Sequence, residues 1–266
     1  MKNILNTILE AKKKEVQEKK SLFDLNWYKF FSPDFDRVCY SLKKNLLKPD
    51  GTGIIAEFKR RSPSKGWFKP ADYSASAIVM DYEKHGAAGA SILTDEAFFG
   101  GDKEDLGAVR SVTGLPLLRK DFIIDEIQVQ EAKAYGADAV LLIAAILTPK
   151  RVNELAKEAR NFGLEVLLEI HEEEEMDHIC DETEIIGINN RNLKTFEVDI
   201  ERSLRMAEKI PAGKITVAES GIDSVENIRL FRRHGFKGFL IGEYFMKQPN
   251  PAIAFAEFAK QLKAKV

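Results

Sequence analysis

One short phrase recurs along this chain and constrains its fold more than any other feature: a bulky residue, a glycine, then an apolar run. His85-Gly86 precedes AGASILT, Tyr135-Gly136 precedes ADAVLLI, Phe162-Gly163 precedes LEVLLEI, and His234-Gly235 precedes FKGFLIG. Such self-similarity marks a repeated supersecondary unit. Glycine lacks the Cβ that clashes in the left-handed conformation closing many helices, so each phrase predicts a helix stop followed by a strand.

Helix starts carry their own marks. Thr148-Pro149 joins a capping hydroxyl to a proline at the first helical position, and Val152, Leu155, Ala156, Ala159 and Phe162 then form one apolar stripe. Asp125 with Gln128 and Asp223 with Glu226 have the spacing of capping boxes. Strands are predicted at 53–59, 90–94, 116–120, 138–143, 164–169, 185–189, 214–219 and 237–241. Helices alternating with these eight strands favour a closed parallel barrel over its pattern-level alternative, a doubly wound open sheet. The expectation is a single α/β domain over 1–266, a (β/α)8 TIM barrel. An additional N-terminal helical extension occupies 1–50, and the barrel proper starts near residue 51.

That extension holds a Lys/Glu-rich amphipathic helix and an aromatic segment with Phe23, Trp27, Tyr28, Phe30 and Phe31. Periodicity alone favours a lid on the barrel bottom or a dimer contact over a cover for a site.

Composition narrows the class. Hydrophobic residues at 44% and charged residues at 31% suit a soluble protein with a full core. Forty basic against 42 acidic residues leave a formal charge of -2, which argues against nucleic acid as the main partner. Cys39 and Cys180 are far apart and lack metal-ligand spacing, so neither a metal site nor a disulfide is expected, and reduced thiols in the cytoplasm are. In MKNILNTILEAKKKEV charge interrupts Ile4, Leu5 and Ile8 before a signal-peptide core forms. No run of about 18 apolar residues occurs, so no membrane partner is expected.

Barrel strands alternate inward and outward, and functional groups gather at their C-terminal ends. In GIIAEFK, Glu57 and Lys59 share a face with Ile55, while Ile54, Ala56 and Phe58 face the helices. LPLLRKDF ends its strand with Lys120, and LEVLLEI ends with Glu169 on the face of Leu167 and Glu165. IIGINNRN ends with Asn189 and leads to Arg191, and ITVAESG ends with Glu219. Any one of these charges could be a surface residue displaced by a position or two. For the whole set that reading is much weaker, because several strands would have to be misplaced in the same direction. Buried, each charge costs several kcal/mol unless it is paired or serves chemistry.

Ser220-Gly221 and Gly242-Glu243 follow the last two strands and open toward short helical turns. Plain turn glycines are the ordinary reading of such dipeptides. At this place in a barrel, free backbone N–H groups and a short helix such as 242–246 predict phosphate binding.

AEFKRRSPSKG, LRKDF, LLEIH, GINNRNL, AESGI and LIGE, in this order, resemble the indole-3-glycerol phosphate synthase family over essentially the whole chain. EFKRRSPSKG with LRKDF is highly specific, whereas AESGI and LIGE recur in other phosphate-binding barrels. The resemblance implies a carboxy-lyase of tryptophan biosynthesis, with no metal and no organic cofactor. Its substrate would be 1-(2-carboxyphenylamino)-1-deoxyribulose 5-phosphate, converted to indole-3-glycerol phosphate, carbon dioxide and water. It leaves room for association with other enzymes of that pathway. LNTILEAKKKEV is similar to the family's extra helix near the active-site mouth, which reverses the ranking given to the extension.

Carried over by position, the implied catalytic set is Lys120 as general acid with Glu169, Lys59, Glu57, Asn189 and Ser220. The implied substrate contacts are Ser62, Pro63 and Ser64 of the SPS loop, Arg191, Glu219, Gly221, Gly242 and Glu243. Phe99, Phe122 and Leu141 resemble an anthranilate-ring pocket. Departures are Asn190, where a serine is frequent, and Tyr244-Phe245 in place of a smaller pair. The rivals are phosphoribosylanthranilate isomerase, the α subunit of tryptophan synthase and a non-catalytic phosphate-binding barrel. The strand-one EFKRRSPS segment and Lys120 count against both enzymes, and buried charge counts against a scaffold.

Overall fold

The computed structural model describes residues 4–32, 35–192 and 197–264. Leu193, the last residue of the GINNRNL motif, and Met1 to Asn3 of the extension lie outside them. Eight parallel strands close a barrel: β1 (Ile54–Phe58), β2 (Gly89–Leu93), β3 (Leu117–Lys120), β4 (Ala139–Ile143), β5 (Glu165–Ile170), β6 (Ile185–Asn189), β7 (Ile215–Glu219) and β8 (Gly238–Ile241). Each strand pairs with its sequence neighbours, and β1 closes on β8 through Ile55 opposite Leu240. Every expected strand lies within one residue of the observed one.

The glycine stops behave as their chemistry requires. Gly86, Gly136, Gly163 and Gly235 have φ of 89°, 82°, 74° and 86°, a region that penalises any Cβ. Thr148 caps the helix Pro149–Asn161 by accepting from Arg151 N, and Asp125 with Gln128 forms a full capping box. The box expected at Asp223 and Glu226 is not present. Ser224, one residue later, is the N-cap and its hydroxyl accepts from Asn227 N, leaving Asp223 outside the helix.

Alternation sorts the strands into two cores. Ile54, Ala56 and Phe58 join the outer core between barrel and helices, with Val152, Leu155, Ala156 and Ala159. Ile55, Leu118, Leu141, Leu167, Ile185, Val217 and Leu240 fill the barrel interior. Inward residues at the C-terminal ends are therefore the ones left to face a mouth.

The extension divides between the two ends of the barrel. Helix α1 (Ile4–Leu22) brings Ile4, Leu5 and Ile8 to the mouth. Helix α2 (Leu25–Phe31) is capped by Asp24, and helix α3 (Leu42–Leu46) plugs the opposite end. There Leu42 and Leu46 pack with Ile55, Leu118 and Ile215, and Glu165 at the start of β5 accepts from Ser41 Oγ at 2.5 Å and Lys43 N at 2.9 Å. Glu165 thus shares the face of Glu169 but serves the barrel floor. Both a bottom lid and a mouth cover exist, in different segments. Among the described residues no helix is long and apolar enough to cross a membrane.

Candidate active site

A cavity of about 330 Å³ opens at the C-terminal ends of the strands. Its walls bring together Glu57, Lys59, Lys120, Glu169, Asn189, Glu219 and Ser220 with Ser62, Pro63, Ser64, Phe99, Phe122, Leu141, Arg191, Gly221, Gly242 and Glu243. Residues from β1, β3, β5, β6 and β7 and from the loops after them converge because inward positions at strand ends are neighbours in a closed barrel.

The charges form two linked groups. Lys120 Nζ lies 2.9 Å from Glu169 Oε2 and 3.4 Å from Glu219 Oε2. Lys59 Nζ lies 2.6 Å from Glu57 Oε1. Asn189 Nδ2 donates to Glu169 Oε1 at 3.2 Å, and Asn189 Oδ1 accepts from Arg191 N at 3.0 Å. Arg191 extends to Glu243 Oε2 at 3.2 Å.

Burial works against the Lys120 ammonium, but Glu169, Glu219 and Glu57 outweigh it and raise its pKa, so the ammonium is the resting form. Burial likewise works against the Glu169 carboxylate, and Lys120 with His171 reverses that, holding it well below the usual carboxylate range. Glu219 behaves oppositely. Burial, less the pull of Lys120 and reinforced by repulsion from Glu169, pushes its carboxyl up to about 8. One acid of the pair is thereby ionised and the other protonated near neutrality, a division expected of carboxylates sharing one cation.

Three residues that frame these groups lie outside the site residues expected from the sequence. His171 is 3% exposed and sits two residues beyond Glu169, with Nε2 3.1 Å from Glu169 Oε1 and Nδ1 3.8 Å from Glu175 Oε2. Neither ring nitrogen makes an aligned hydrogen bond, so these are ion-pair contacts. Burial opposes the imidazolium, but the two carboxylates prevail and raise its pKa to about 9. The shared face of Glu169 and His171 in LLEIH was the available signal. Gly187 in β6 has no Cβ because one would collide with Glu219 Oε1, and Gly242 makes the same room for Glu57 Oε1. Asn190, a departure from the family pattern, is fully buried and donates to Ser220 O at 2.6 Å. It braces the left-handed backbone of Ser220, whose φ is 67° and whose neighbour Gly221 has 68°.

These shifts predict a pH dependence of stability. Glu219 and His171 have folded pKa values above their ordinary 4.5 and 6.5, so each contributes stability that is complete below the ordinary value and is lost as pH rises through the folded one. The melting temperature should fall between pH 6.5 and 9, and between pH 8 and 9 most of the slope should come from His171. In His171→Gln that last part should flatten. Equal slopes in parent and variant would rule the assignment out.

One wall of the cavity is apolar. Phe99 and Phe122 lie with centroids 6.0 Å apart, tilted at 40°, and Leu141 sits on the same cavity. Opposite them the Ser220-Gly221 and Gly242-Glu243 turns border the cavity with Tyr244 and Lys247.

A family profile described as indole-3-glycerol phosphate synthase matches residues 5–258. A protein of that name from Bacteroides thetaiotaomicron is 47% identical over 263 residues, 99% of this chain and 100% of the relative. Another from Dechloromonas aromatica is 42% identical over 259 residues, 96% and 98% of the two chains. Among solved structures, a tryptophan synthase α subunit from Legionella pneumophila superposes with a TM-score of 0.61 at 13% identity, covering 84% of this chain and 96% of that one. A thiamine phosphate pyrophosphorylase from Pyrococcus furiosus gives 0.61 at 18%, covering 83% and 98%. At such identities these two likenesses speak for the barrel alone.

Proposed function

The chain belongs to the indole-3-glycerol phosphate synthase family, and from that premise we propose how its mouth carries out the family's reaction. The reaction closes the ring of 1-(2-carboxyphenylamino)-1-deoxyribulose 5-phosphate, decarboxylates it and dehydrates it, in tryptophan biosynthesis. The observation that carries the assignment of roles is Lys120 held between Glu169 and Glu219 beside an aromatic wall.

The anthranilate ring stacks on the wall of Phe99, Phe122 and Leu141, and Lys59 holds its carboxylate. The backbone N–H groups around Gly221 and Gly242 take the phosphate, helped by Ser64 and Ser62. Bending the substrate between these anchors brings the ring carbon that bears the carboxylate onto the sugar ketone. Attack forms a carbon–carbon bond and moves an electron pair onto the ketone oxygen, which Lys120 stabilises and protonates. Carbon dioxide then leaves, and its bonding pair restores the aromatic ring. The new hydroxyl departs as water after gaining a proton, pushed by the substrate's own nitrogen lone pair. Loss of one further proton from the sugar-derived carbon, to Glu57 or Glu169, completes the indole. The carbon dioxide and water released match the difference between substrate and product.

Asn189 and Ser220 orient Glu169 and the phosphate turn, Arg191 with Glu243 closes the rim, and Glu219 supplies a neutral carboxyl beside Lys120. We place this activity in the cytoplasm, with association with other enzymes of the pathway as part of the reading. In a sealed vessel the protein should release one carbon dioxide for each indole ring formed. Ring formation without carbon dioxide would overturn the reading.

The phosphate turn has its own test. A Cβ at Gly221 collides with Val198 Cγ1, and its φ of 68° is costly for a β-branched residue. Gly221→Val should weaken binding of a phosphorylated substrate analogue, measured calorimetrically. Unchanged affinity would remove the phosphate from this turn.

A further inference from the structure

The buried stripe of helix α1 is Ile8, Lys12 and Val16. A lysine in that stripe is an anomaly, because a leucine there would pack without desolvating a charge. Lys12 is 2% exposed, and its ammonium meets three carboxylates: Glu15 at 2.7 Å, Asp121 at 3.0 Å and Asp95 at 3.1 Å.

The last two carboxylates occupy informative places. Asp95 follows β2 and caps the short helix Glu96–Phe99 by accepting from Phe98 N at 2.8 Å, so it sets where Phe99 stands. Asp121 lies between Lys120 and Phe122 and accepts from Phe122 N at 2.8 Å. Its other oxygen accepts from Thr94 Oγ1 at 2.6 Å and meets Arg119 Nη2 at 3.0 Å. Arg119, 1% exposed, continues to Glu131 at 2.7 Å, and Glu131 returns to α1 through Lys19 at 2.7 Å. Lys12 and Lys19 are seven residues apart, two turns along one face of the helix.

We infer that Lys12 is a positioning residue: it fixes the register of α1 on the barrel and joins that helix to both aromatic residues of the ring wall and to the segment bearing Lys120. Without it, the apolar stripe of α1 could slide by a turn and still be buried, but Ile4, Leu5 and Ile8 would no longer face the cavity. On this inference the buried charge set serves specificity of arrangement more than stability. Its predicted consequence is for substrate binding, since the ring wall and the α1 residues shape the mouth while Lys120 keeps its own partners Glu169 and Glu219.

The inference rests on the reading of Phe99 and Phe122 as the ring wall, and the experiment separates the two. Steady-state kinetics of the full chain are compared for parent, Lys12→Met and Lys12→Arg. Parent turnover tests the functional reading. Lys12→Met should raise KM on the order of tenfold with kcat within about threefold, and Lys12→Arg, which keeps the charge, should recover most of the loss. Hydrogen exchange should rise over residues 4–22 of Lys12→Met while the barrel strands stay protected. If Lys12→Met folds poorly, Asp95→Asn, which keeps a capping oxygen but drops the charge, should show the same rise in KM. A parent-like KM in Lys12→Met, equal impairment in Lys12→Arg, or unchanged exchange over residues 4–22 would each overturn the inference. Should the parent itself fail to turn over, the exchange comparison still decides on Lys12.

Discussion

Lys120→Met is expected to lower kcat by about a hundredfold to ten-thousandfold, the usual worth of a positioned acid. Methionine roughly matches the length of the lysine stem, so the mouth keeps its shape while the proton and the charge are lost. The electrostatics favour this residue over Lys59. Lys120 sits 2.9 Å from the Glu169 carboxylate on β5 and 3.4 Å from the Glu219 carboxyl on β7 and is held as an ammonium, so a donor is in place before substrate arrives. Substrate affinity should change far less, since the phosphate, carboxylate and ring contacts proposed above are assigned to Gly221, Lys59 and the aromatic wall. Stopped-flow measurements at several pH values separate chemistry from product release. If Lys120→Met kept turnover within a few-fold of the parent while Lys59→Met abolished it, the acid role would pass to Lys59.

The second large effect concerns the extension, whose two ends should fail in different ways. Leu42 and Leu46 are 1% and 4% exposed and fill the barrel floor, where Leu42 meets the start of β2 at Gly89 and Leu46 the start of β8 at Gly238. Truncating either to alanine leaves a cavity worth about 2–5 kcal/mol. The double variant should therefore lose much of the protein's stability in urea while the folded fraction keeps its KM. Deleting residues 1–22 should do the reverse, raising KM by removing Ile4, Leu5 and Ile8 from the mouth and leaving the floor intact. Deleting 1–45 as one piece would confound the two, because it removes most of the floor plug as well. Equal loss of stability in both variants, with no change of KM in the deletion, would make the extension one structural unit.

Much of the fold was legible because its signals are local. A glycine that must take a positive φ marks a helix end whatever surrounds it, and the apolar run that follows cannot be long enough for a helix. The inward and outward faces of β1 follow from alternation alone, and so do Glu57 and Lys59 at the mouth. The charged strand ends line one cavity because closure of the barrel brings them together. What stayed hidden depends on partners distant in sequence. Lys12 reads as one more lysine of a charged helix until Asp95 and Asp121 stand beside it. Gly187 reads as a small residue in a strand until Glu219 of the next strand fills the space it leaves. Nothing in the extension's composition says which segment meets the mouth and which the floor. The cap at Ser224 was displaced by one residue because aspartate and serine both cap well and only the chain's entry angle chooses between them.

The central claim is that this mouth makes the indole ring and that Lys120 drives its closure. The most direct measurement mixes the purified protein with 1-(2-carboxyphenylamino)-1-deoxyribulose 5-phosphate and follows indole fluorescence, with Lys120→Met in parallel. A steady rise for the parent, nearly abolished in the variant at similar substrate affinity, is the expected result. A well-folded parent that produces no indole fluorescence would contradict the claim.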